Sequence, residues 1–348
     1  MRLLIVEDSA LYRQMIRHIL RDEPGISIVG IARNGREALE KIDELDPDVL
    51  TLDVQMPELD GIGVLREINR RGLRTKAIML SSLTTEGAQV TTDALFEGAF
   101  DFILKPSGRD SDANRAELLA SLTEKLAALR EAGRRGPSRE QRIPPRPSSR
   151  GASVQSRAIV IGVSTGGPPA LKKILPTLPG DLPVPVLVVQ HMPAKYTGAL
   201  ARRLNDVCAL EVCEAEDGME AKAGRVLLAP GGRQMGIDRK SKRLIASITD
   251  DPPENGCRPA VDYLLRSAVA ALRGDILAVI LTGMGRDGLE GARLVKRHGG
   301  RVFAQHPHGC TVYGMPKAVI EDGIADRVLP LGRMGPGILN HVQKDRAR

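Results

Sequence analysis

The sequence predicts two α/β domains with mostly parallel sheets, joined by an irregular tether, and three observations carry that expectation. Short apolar runs alternate with amphipathic stretches along most of the 348 residues, the pattern of strands linked by crossover helices. A chain of this length ordinarily divides into two domains, at roughly 100 to 200 residues each. Near residue 130 the alternation gives way to RRGPSREQRIPPRPSSRGASVQSR, and it resumes at Ala158. A stretch so rich in Pro, Ser, Gly and Arg makes a solvated linker rather than a core. The expected divisions are 1–125, 126–156 and 157–345.

In the first domain, Leu3 to Val6, Val49 to Leu52, Ala77 to Leu80 and Phe102 to Leu104 read as the first, third, fourth and fifth buried strands. Helix-like segments such as Leu11 to Leu20 and Gly35 to Glu44 separate them. In the second domain, strands are expected at Ala158 to Val163, Pro185 to Gln190, Arg225 to Ala229, Ile276 to Leu281 and Arg301 to Ala304. Helices such as Ala170 to Leu175 and Pro259 to Ala271 lie between them. Strand and helix in alternation require right-handed crossovers and a largely parallel sheet.

Composition narrows the function classes. With 27% charged and 42% hydrophobic residues the chain reads as soluble and globular. No Trp, four Tyr and four Phe leave little to stack on bases, which argues against single-stranded nucleic-acid binding. Four irregularly spaced cysteines make neither a disulfide framework nor a zinc motif, so a reduced, cytoplasmic setting is expected. The N-terminus offers a four-residue apolar run before two carboxylates, unlike a signal peptide. No segment approaches the ~20 apolar residues of a membrane span, so the protein is not expected to insert in a membrane. The net charge is +7, but Arg130, Arg134, Arg135, Arg139, Arg142, Arg146, Arg150 and Arg157, against Glu131 and Glu140, account for six of those charges. The basic total therefore lies in or beside the tether, where it would favour an acidic receptor or membrane surface at low salt.

In open parallel sheets, ligands sit beyond the carboxyl ends of the strands. In the first domain those ends carry Glu7 and Asp8, then Asp53, Ser81 and Lys105 with Pro106. An Asp after a strand is often only a helix cap or turn former, but matching positions at several strand ends leave that alternative little room. Three carboxylates brought close together call for a cation, and an all-oxygen set with room for water suits Mg²⁺. Asp53 would then be a metal ligand and a nucleophile toward phosphorus, with Lys105 and Ser81 placed to hold the added oxygens. These residues resemble a response-regulator receiver domain over about the first 125 positions: Glu7-Asp8, Asp53 within D-x-x-M-P, Ser81, Phe102 and Lys105-Pro106. The resemblance implies a flavodoxin-like (βα)5 fold and phosphorylation of Asp53 by a chemotaxis-type histidine kinase. It also implies Mg²⁺ held by the Glu7-Asp8 pair, Asp53 and the Gln55 backbone carbonyl, with Ser81 and Phe102 as switch residues.

In the second domain the strand AIVIGV runs into Ser164-Thr165-Gly166-Gly167, so Gly162 to Gly166 fits G-x-S-x-G, which presents a serine at a sheet edge. A dinucleotide-binding loop fits poorly, because Ser164 stands where its second glycine belongs and the next strand ends in Gln190-His191 rather than an acidic residue. A serine nucleophile needs a base and a group to orient it. His191 follows the next strand in sequence, while His306 and His308 follow a later one and compete for the role. Asp287 lies in the loop TGMGRDG, where it is either the orienting carboxylate or a turn aspartate before Gly288.

From about Ala158 to Pro330 the chain resembles the catalytic domain of chemotaxis protein-glutamate methylesterases, which also deamidate receptor glutamines. The motifs are G-x-S-T-G-G (162–167), Q-H-M-P (190–193), E-A-E-D-G (214–218), A-P-G (229–231), R-P-A-V-D (258–262), L-T-G-M-G-x-D-G (281–288) and Y-G-M-P (313–316). The resemblance implies a doubly wound sheet with Ser164 as nucleophile, His191 as base, Asp287 as its partner, and Thr165 and Met284 supporting the oxyanion. It also implies chemoreceptors as substrate, no cofactor for the ester hydrolysis, and a receiver that obstructs the cleft until phosphorylated. Gln234 and Cys257 stand where relatives carry His, and His306-Pro307 replaces a more polar pair; all are expected to line the cleft. The rival classes are a nonenzymatic receptor-binding response regulator and, with less support, a DNA-binding one, whose recognition helix has no counterpart after Ala158.

Overall fold

A computed structural model describes residues 1–108, 110–134 and 156–344. The first compact unit is Met1–Arg134. Its strands are β1 (Arg2–Val6), β2 (Ser27–Ala32), β3 (Val49–Asp53), β4 (Lys76–Ser81) and β5 (Asp101–Leu104). Helices α1 (Ala10–Leu20), α2 (Gly35–Leu45), α3 (Gly61–Arg70), α4 (Thr85–Phe96) and α5 (Ser111–Arg134) follow them in turn. All strand pairs are parallel, in the order β2-β1-β3-β4-β5, as a (βα)5 fold requires. Leu3 to Val6 on β1 and Leu50 and Leu52 on β3 are fully buried, which is why these strands read as unbroken apolar runs. Local chemistry sets the helix starts: Asn34, Asp60 and Thr84 each accept a first-turn backbone N–H, at α2, α3 and α4.

The expected boundary at residue 125 falls inside α5, which continues to Arg134. The extra turns are anchored to the first unit: Lys125 pairs with Asp101 at 2.9 Å, Leu126 and Ala128 are buried, and Arg130 donates to the Pro24 carbonyl. The first unit therefore ends nine residues past the expected boundary. The rest of the expected linker, 135–155, lies outside the described residues.

The second unit is built on seven parallel strands in the order β15-β14-β13-β6-β7-β10-β8. They are β6 (Ala158–Val163), β7 (Val186–Gln190), β8 (Glu211–Glu214), β10 (Arg225–Leu228), β13 (Ile276–Ile280), β14 (Arg301–Gln305) and β15 (Arg327–Leu329). The helices are α6 (Gly167–Ile174), α7 (Tyr196–Asn205), α8 (Val261–Leu272), α9 (Leu289–Arg297), α10 (Met315–Glu321) and α11 (Leu331–Lys344). A separate antiparallel sheet, unforeseen from sequence, joins β9 (Glu220–Ala221), β11 (Gln234–Lys240) and β12 (Arg243–Thr249). Its hairpin turns at Ser241 with φ 59°, without the Asn-Gly or Gly-Gly signature that announces such turns. Met235, Ile237 and Ala246 of this sheet join the core beneath α8, with Leu264, Leu265 and Ala268.

Gly162 in β6 faces that core. A methyl group there would lie 2.5 Å from Val261 Cγ1 of α8, closer than carbon atoms can approach. Gly162→Ala is accordingly expected to destabilise the second unit by about 1–3 kcal/mol through overpacking. A lower denaturation midpoint by chemical unfolding would show it, and an unchanged midpoint would contradict the packing argument.

Candidate active site

In the second unit β6 lies between β7 and β13. The registers Val163↔Gln190 and Ile280↔Gly162 bring the three strands' carboxyl ends to one level. The chain steps from β6 to β7 on one side and returns later through β13 on the other, so this is the topological switch point where open α/β sheets bind ligands. Backbone hydrogen bonds tie the ends together: Ser164 N–H donates to Thr282 O at 3.0 Å, and His191 N–H to Val163 O at 3.1 Å. Gln190, 2% exposed, donates its side-chain amide to the carbonyls of both Ser164 (3.0 Å) and His191 (3.1 Å). Two glycines keep the surroundings tight. A Cβ on Gly167 would strike the Gln190 side chain, and one on Gly283 would lie 2.8 Å from Ser164 Cβ.

Asp287 is 3% exposed and accepts five hydrogen bonds. Oδ2 receives His191 Nε2–H (2.8 Å) and Val261 N–H (2.6 Å); Oδ1 receives Asn255 Nδ2 (2.9 Å), Asp262 N–H (3.1 Å) and Gly288 N–H (3.0 Å). Burial alone would raise the Asp287 carboxyl, but the hydrogen bond and charge of His191, with the Val261 and Asp262 amides, hold it below its ordinary value. The imidazole answers in kind. Burial opposes its charged form, but Asp287, helped by Cys257, outweighs this and raises the His191 pKa to about 9.

The structure thus pairs Asp287 with His191, and the turn-aspartate alternative is insufficient to describe it. His306, by contrast, accepts from the His308 backbone at 3.1 Å beyond the end of β14. Because Asp287 takes Nε2, the ring turns Nδ1 the other way, where Cys257 Sγ lies 3.6 Å off. Among the described residues no hydrogen bond joins the half-buried Ser164 hydroxyl to His191. Thr165 is buried at 4% exposure and Met284 is exposed at 39%. The Met284 N–H makes no hydrogen bond among the described residues.

Gln234 does not line the cleft as expected. It is wholly buried, because its amide serves as a brace: Oε1 accepts Ala260 N–H at 2.9 Å, and Nε2 donates to the carbonyls of Pro252 and Cys257. It thereby holds the loop that delivers Cys257 and Asn255. Asn255 escapes sequence reasoning altogether, and Asp262 enters it only as the last residue of the R-P-A-V-D motif, without a role. Asn255 bridges the two carboxylates, at 2.9 Å from each. Burial, with the Asp287 charge beside it, pushes Asp262 up to about 6.

In the first unit the carboxyl ends of β1, β3, β4 and β5 surround a cleft of about 280 Å³ lined by Asp8, Asp53, Gln55, Ser81 and Lys105. Glu7 is wholly buried. Lys105 Nζ bridges Glu7 Oε2 at 2.9 Å and Asp53 Oδ2 at 2.8 Å. Burial first, then the charge of Asp53, pushes Glu7 up to about 7, and burial likewise raises Asp53. Glu7, Asp8 and Asp53 each offer a carboxylate oxygen, all within 4.8 Å of one another. One lysine among three carboxylates leaves the site short of positive charge, and this hard all-oxygen donor set fits Mg²⁺. Ser81 Oγ accepts from Thr91 Oγ1 at 2.6 Å, and Phe102 is buried at 9% exposure.

Comparison with known proteins agrees with this division. A family model for the CheB methylesterase matches residues 159–338, and one for the response regulator receiver domain matches residues 3–116. The protein-glutamate methylesterase/protein-glutamine glutaminase of Desulfotalea psychrophila is 43% identical over 360 residues, spanning 99% of each chain. The protein of the same name from Thermotoga maritima is 43% identical over 329 residues, covering 94% of this chain and 95% of its own. The crystal structure of the Thermotoga maritima CheB methylesterase catalytic domain covers 55% of this chain and 100% of that chain, with 43% identity and a TM-score of 0.52. With a family model matching more than half its length and full-length relatives at this identity, the chain belongs to the CheB methylesterase family and carries a response-regulator receiver domain ahead of the esterase domain.

Proposed function

We infer that this protein is a phosphorylation-activated serine esterase that hydrolyses glutamyl methyl esters on chemoreceptors and deamidates receptor glutamines. The observation that carries the reading is the buried Asp287–His191 pair at the switch point where Ser164 leaves the neighbouring strand. Asp287 holds the Nε2 proton, which leaves the lone pair on Nδ1 to act as base. Ser164 Oγ turns toward Nδ1 when substrate is bound, a tightening common in catalytic sites. As Oγ attacks the ester carbonyl, Nδ1 takes its proton, and the backbone N–H groups of Thr165 and Met284 receive the developing oxyanion. His191 returns the proton to the methoxy oxygen and methanol leaves. Water then gives its proton to Nδ1, attacks the acyl-enzyme and frees the glutamate and Ser164. A glutamine amide follows the same course, with ammonia as leaving group.

Control resides in the receiver. Asp53 accepts a phosphoryl group from a chemotaxis-type histidine kinase, adding about −1.5 to −2 charges. Mg²⁺ bound by Asp8, Asp53, the Gln55 carbonyl and the adjoining Glu7 would neutralise the phosphoryl oxygens. Lys105, released from part of its work on Asp53, pairs with one of those oxygens, and Ser81 exchanges its contact with Thr91 for another. The movement of Ser81 and repacking around Phe102 bias the receiver surface toward a state that frees the esterase cleft. No helix among the described residues is long and apolar enough to cross a membrane, and the reading places the enzyme in the cytoplasm beside its receptors.

Three measurements test this. Ser164→Ala should lower methanol release from methylated receptor membranes at least about a thousandfold; retention of the wild-type rate would exclude the serine mechanism. An imidazolium cannot accept a proton, so kcat/KM should climb with pH through a limb above the ordinary imidazole value of 6.5, toward about 9. A limb at or below 6.5 would contradict the Asp287–His191 coupling. Finally, Asp53→Asn should make methanol release indifferent to a small-molecule phosphodonor, and a full response in that variant would place control elsewhere.

A further inference from the structure

The proposed ester hydrolysis moves no proton through Cys257, yet the thiol stands against the atom on which that reaction depends. Its Sγ is 3.6 Å from His191 Nδ1, and the thiol is partly exposed. Zinc bonds to sulfur at about 2.3 Å and to imidazole nitrogen at about 2.0–2.1 Å, so two such ligands at a tetrahedral angle stand about 3.6 Å apart. The pair already has the bite of a chelate. A second, independent feature is the far side of the ring: Nε2–H donates to Asp287 at 2.8 Å. Metal-bound histidines characteristically use such a carboxylate to fix the tautomer and raise the basicity of the coordinating nitrogen. Ligand atoms of Cys257, His191 and Asp287 all lie within 4.8 Å of one another. The ligands are preorganised, since Gln234 binds the Cys257 carbonyl and the five-donor network fixes Asp287.

We propose that Cys257 and His191 form an inhibitory site for a thiophilic divalent cation of the zinc class. The metal takes Sγ and Nδ1 as ligands, with water in the remaining positions, and the thiol proton, together with the Nδ1 proton wherever the ring is protonated, goes to solvent. His191 keeps its Nε2 proton on Asp287 but gives up the Nδ1 lone pair. The inhibitory consequence rests on the reading of His191 as the base, whereas the binding site itself does not. The soft thiolate also separates this site from the all-oxygen receiver cleft, which favours Mg²⁺.

The test uses the full-length protein with saturating Mg²⁺ to occupy the receiver, titrated with Cd²⁺ as a spectroscopic stand-in and then with Zn²⁺. A thiolate-to-cadmium charge-transfer band should saturate near one equivalent and be reversed by Zn²⁺. It should vanish in Cys257→Ala and Cys257→Ser, and persist in Cys208→Ala and Cys310→Ala. In parallel, Zn²⁺ should reduce methanol release at least tenfold, with recovery on chelation. The Zn²⁺ concentration for half-inhibition should rise at least tenfold in either Cys257 variant, each referred to its own metal-free rate. Absence of a Cys257-dependent band would overturn the site, as would inhibition equally strong in both Cys257 variants. A Cys257-dependent band without loss of esterase activity would overturn the inhibitory role and count against His191 as the base.

Discussion

The catalytic unit depends on one buried carboxylate. Helix α8 begins without a side-chain cap of its own, and its first two amides donate to Asp287 from across the loop that follows β13. A helix cap is worth about 1 kcal/mol, whereas a buried charge stripped of its partner costs about 3–5 kcal/mol. The Asp287 charge is tolerable only because five donors surround it, and four of them belong to the scaffold rather than to His191. The carboxylate thus ties α8, the 255 loop and β13 together whether or not chemistry is under way. The fifth donor, His191 Nε2, is already in place in the structure. In the proposed mechanism the base needs no reorganisation of its partner, because the fold has already fixed it.

Both units solve the problem of assembling charge in the same way. In the receiver the strand order reverses between β1 and β3, and the carboxylates of Glu7, Asp8 and Asp53 gather there. In the esterase it reverses between β6 and β13, and Ser164 meets the Asp287 loop there. At a switch point the connecting segments diverge to opposite faces of the sheet, leaving a crevice that helices do not cover. That is why residues immediately after apolar strands were informative. Alternation of apolar runs identifies strands, parallel pairing sends their carboxyl ends to one edge, and polar residues at those ends converge.

The same logic shows where sequence reasoning stops. It applies to residues at the end of a strand or one position past it, such as Asp53, Lys105, Ser164 and His191. It assigns no role to Asn255 or Asp262, which enter the site through a loop and a helix start far from any strand end. It also misassigns Gln234, since a polar side chain in a cleft-forming segment looks the same whether it faces substrate or braces a loop from within. The β11–β12 hairpin escaped because its turn uses Ser241 at positive φ rather than glycine. The end of α5 was obscured for a related reason: Lys125 and Arg130 look like solvated charges in sequence, but both are held by partners in the first unit. Apart from the hairpin, the deciding contact in each case spans a long stretch of chain and leaves no periodicity behind.

The orientation of one imidazole draws these threads together. With Nε2 committed to Asp287, Nδ1 is the ring atom left for proton transfer in the proposed mechanism, and Cys257 Sγ lies 3.6 Å from it. A stronger hold by Asp287 makes Nδ1 more basic, which helps it remove a proton from serine. The same basicity keeps the ring protonated to higher pH and makes Nδ1 a better ligand for any cation that reaches it. Efficiency as a base and susceptibility to capture therefore rise together, because both draw on one lone pair. In the proposed reading the residue at position 257 bears on that balance, since its side chain stands beside Nδ1 and favours the protonated ring or a cation in the proton's stead.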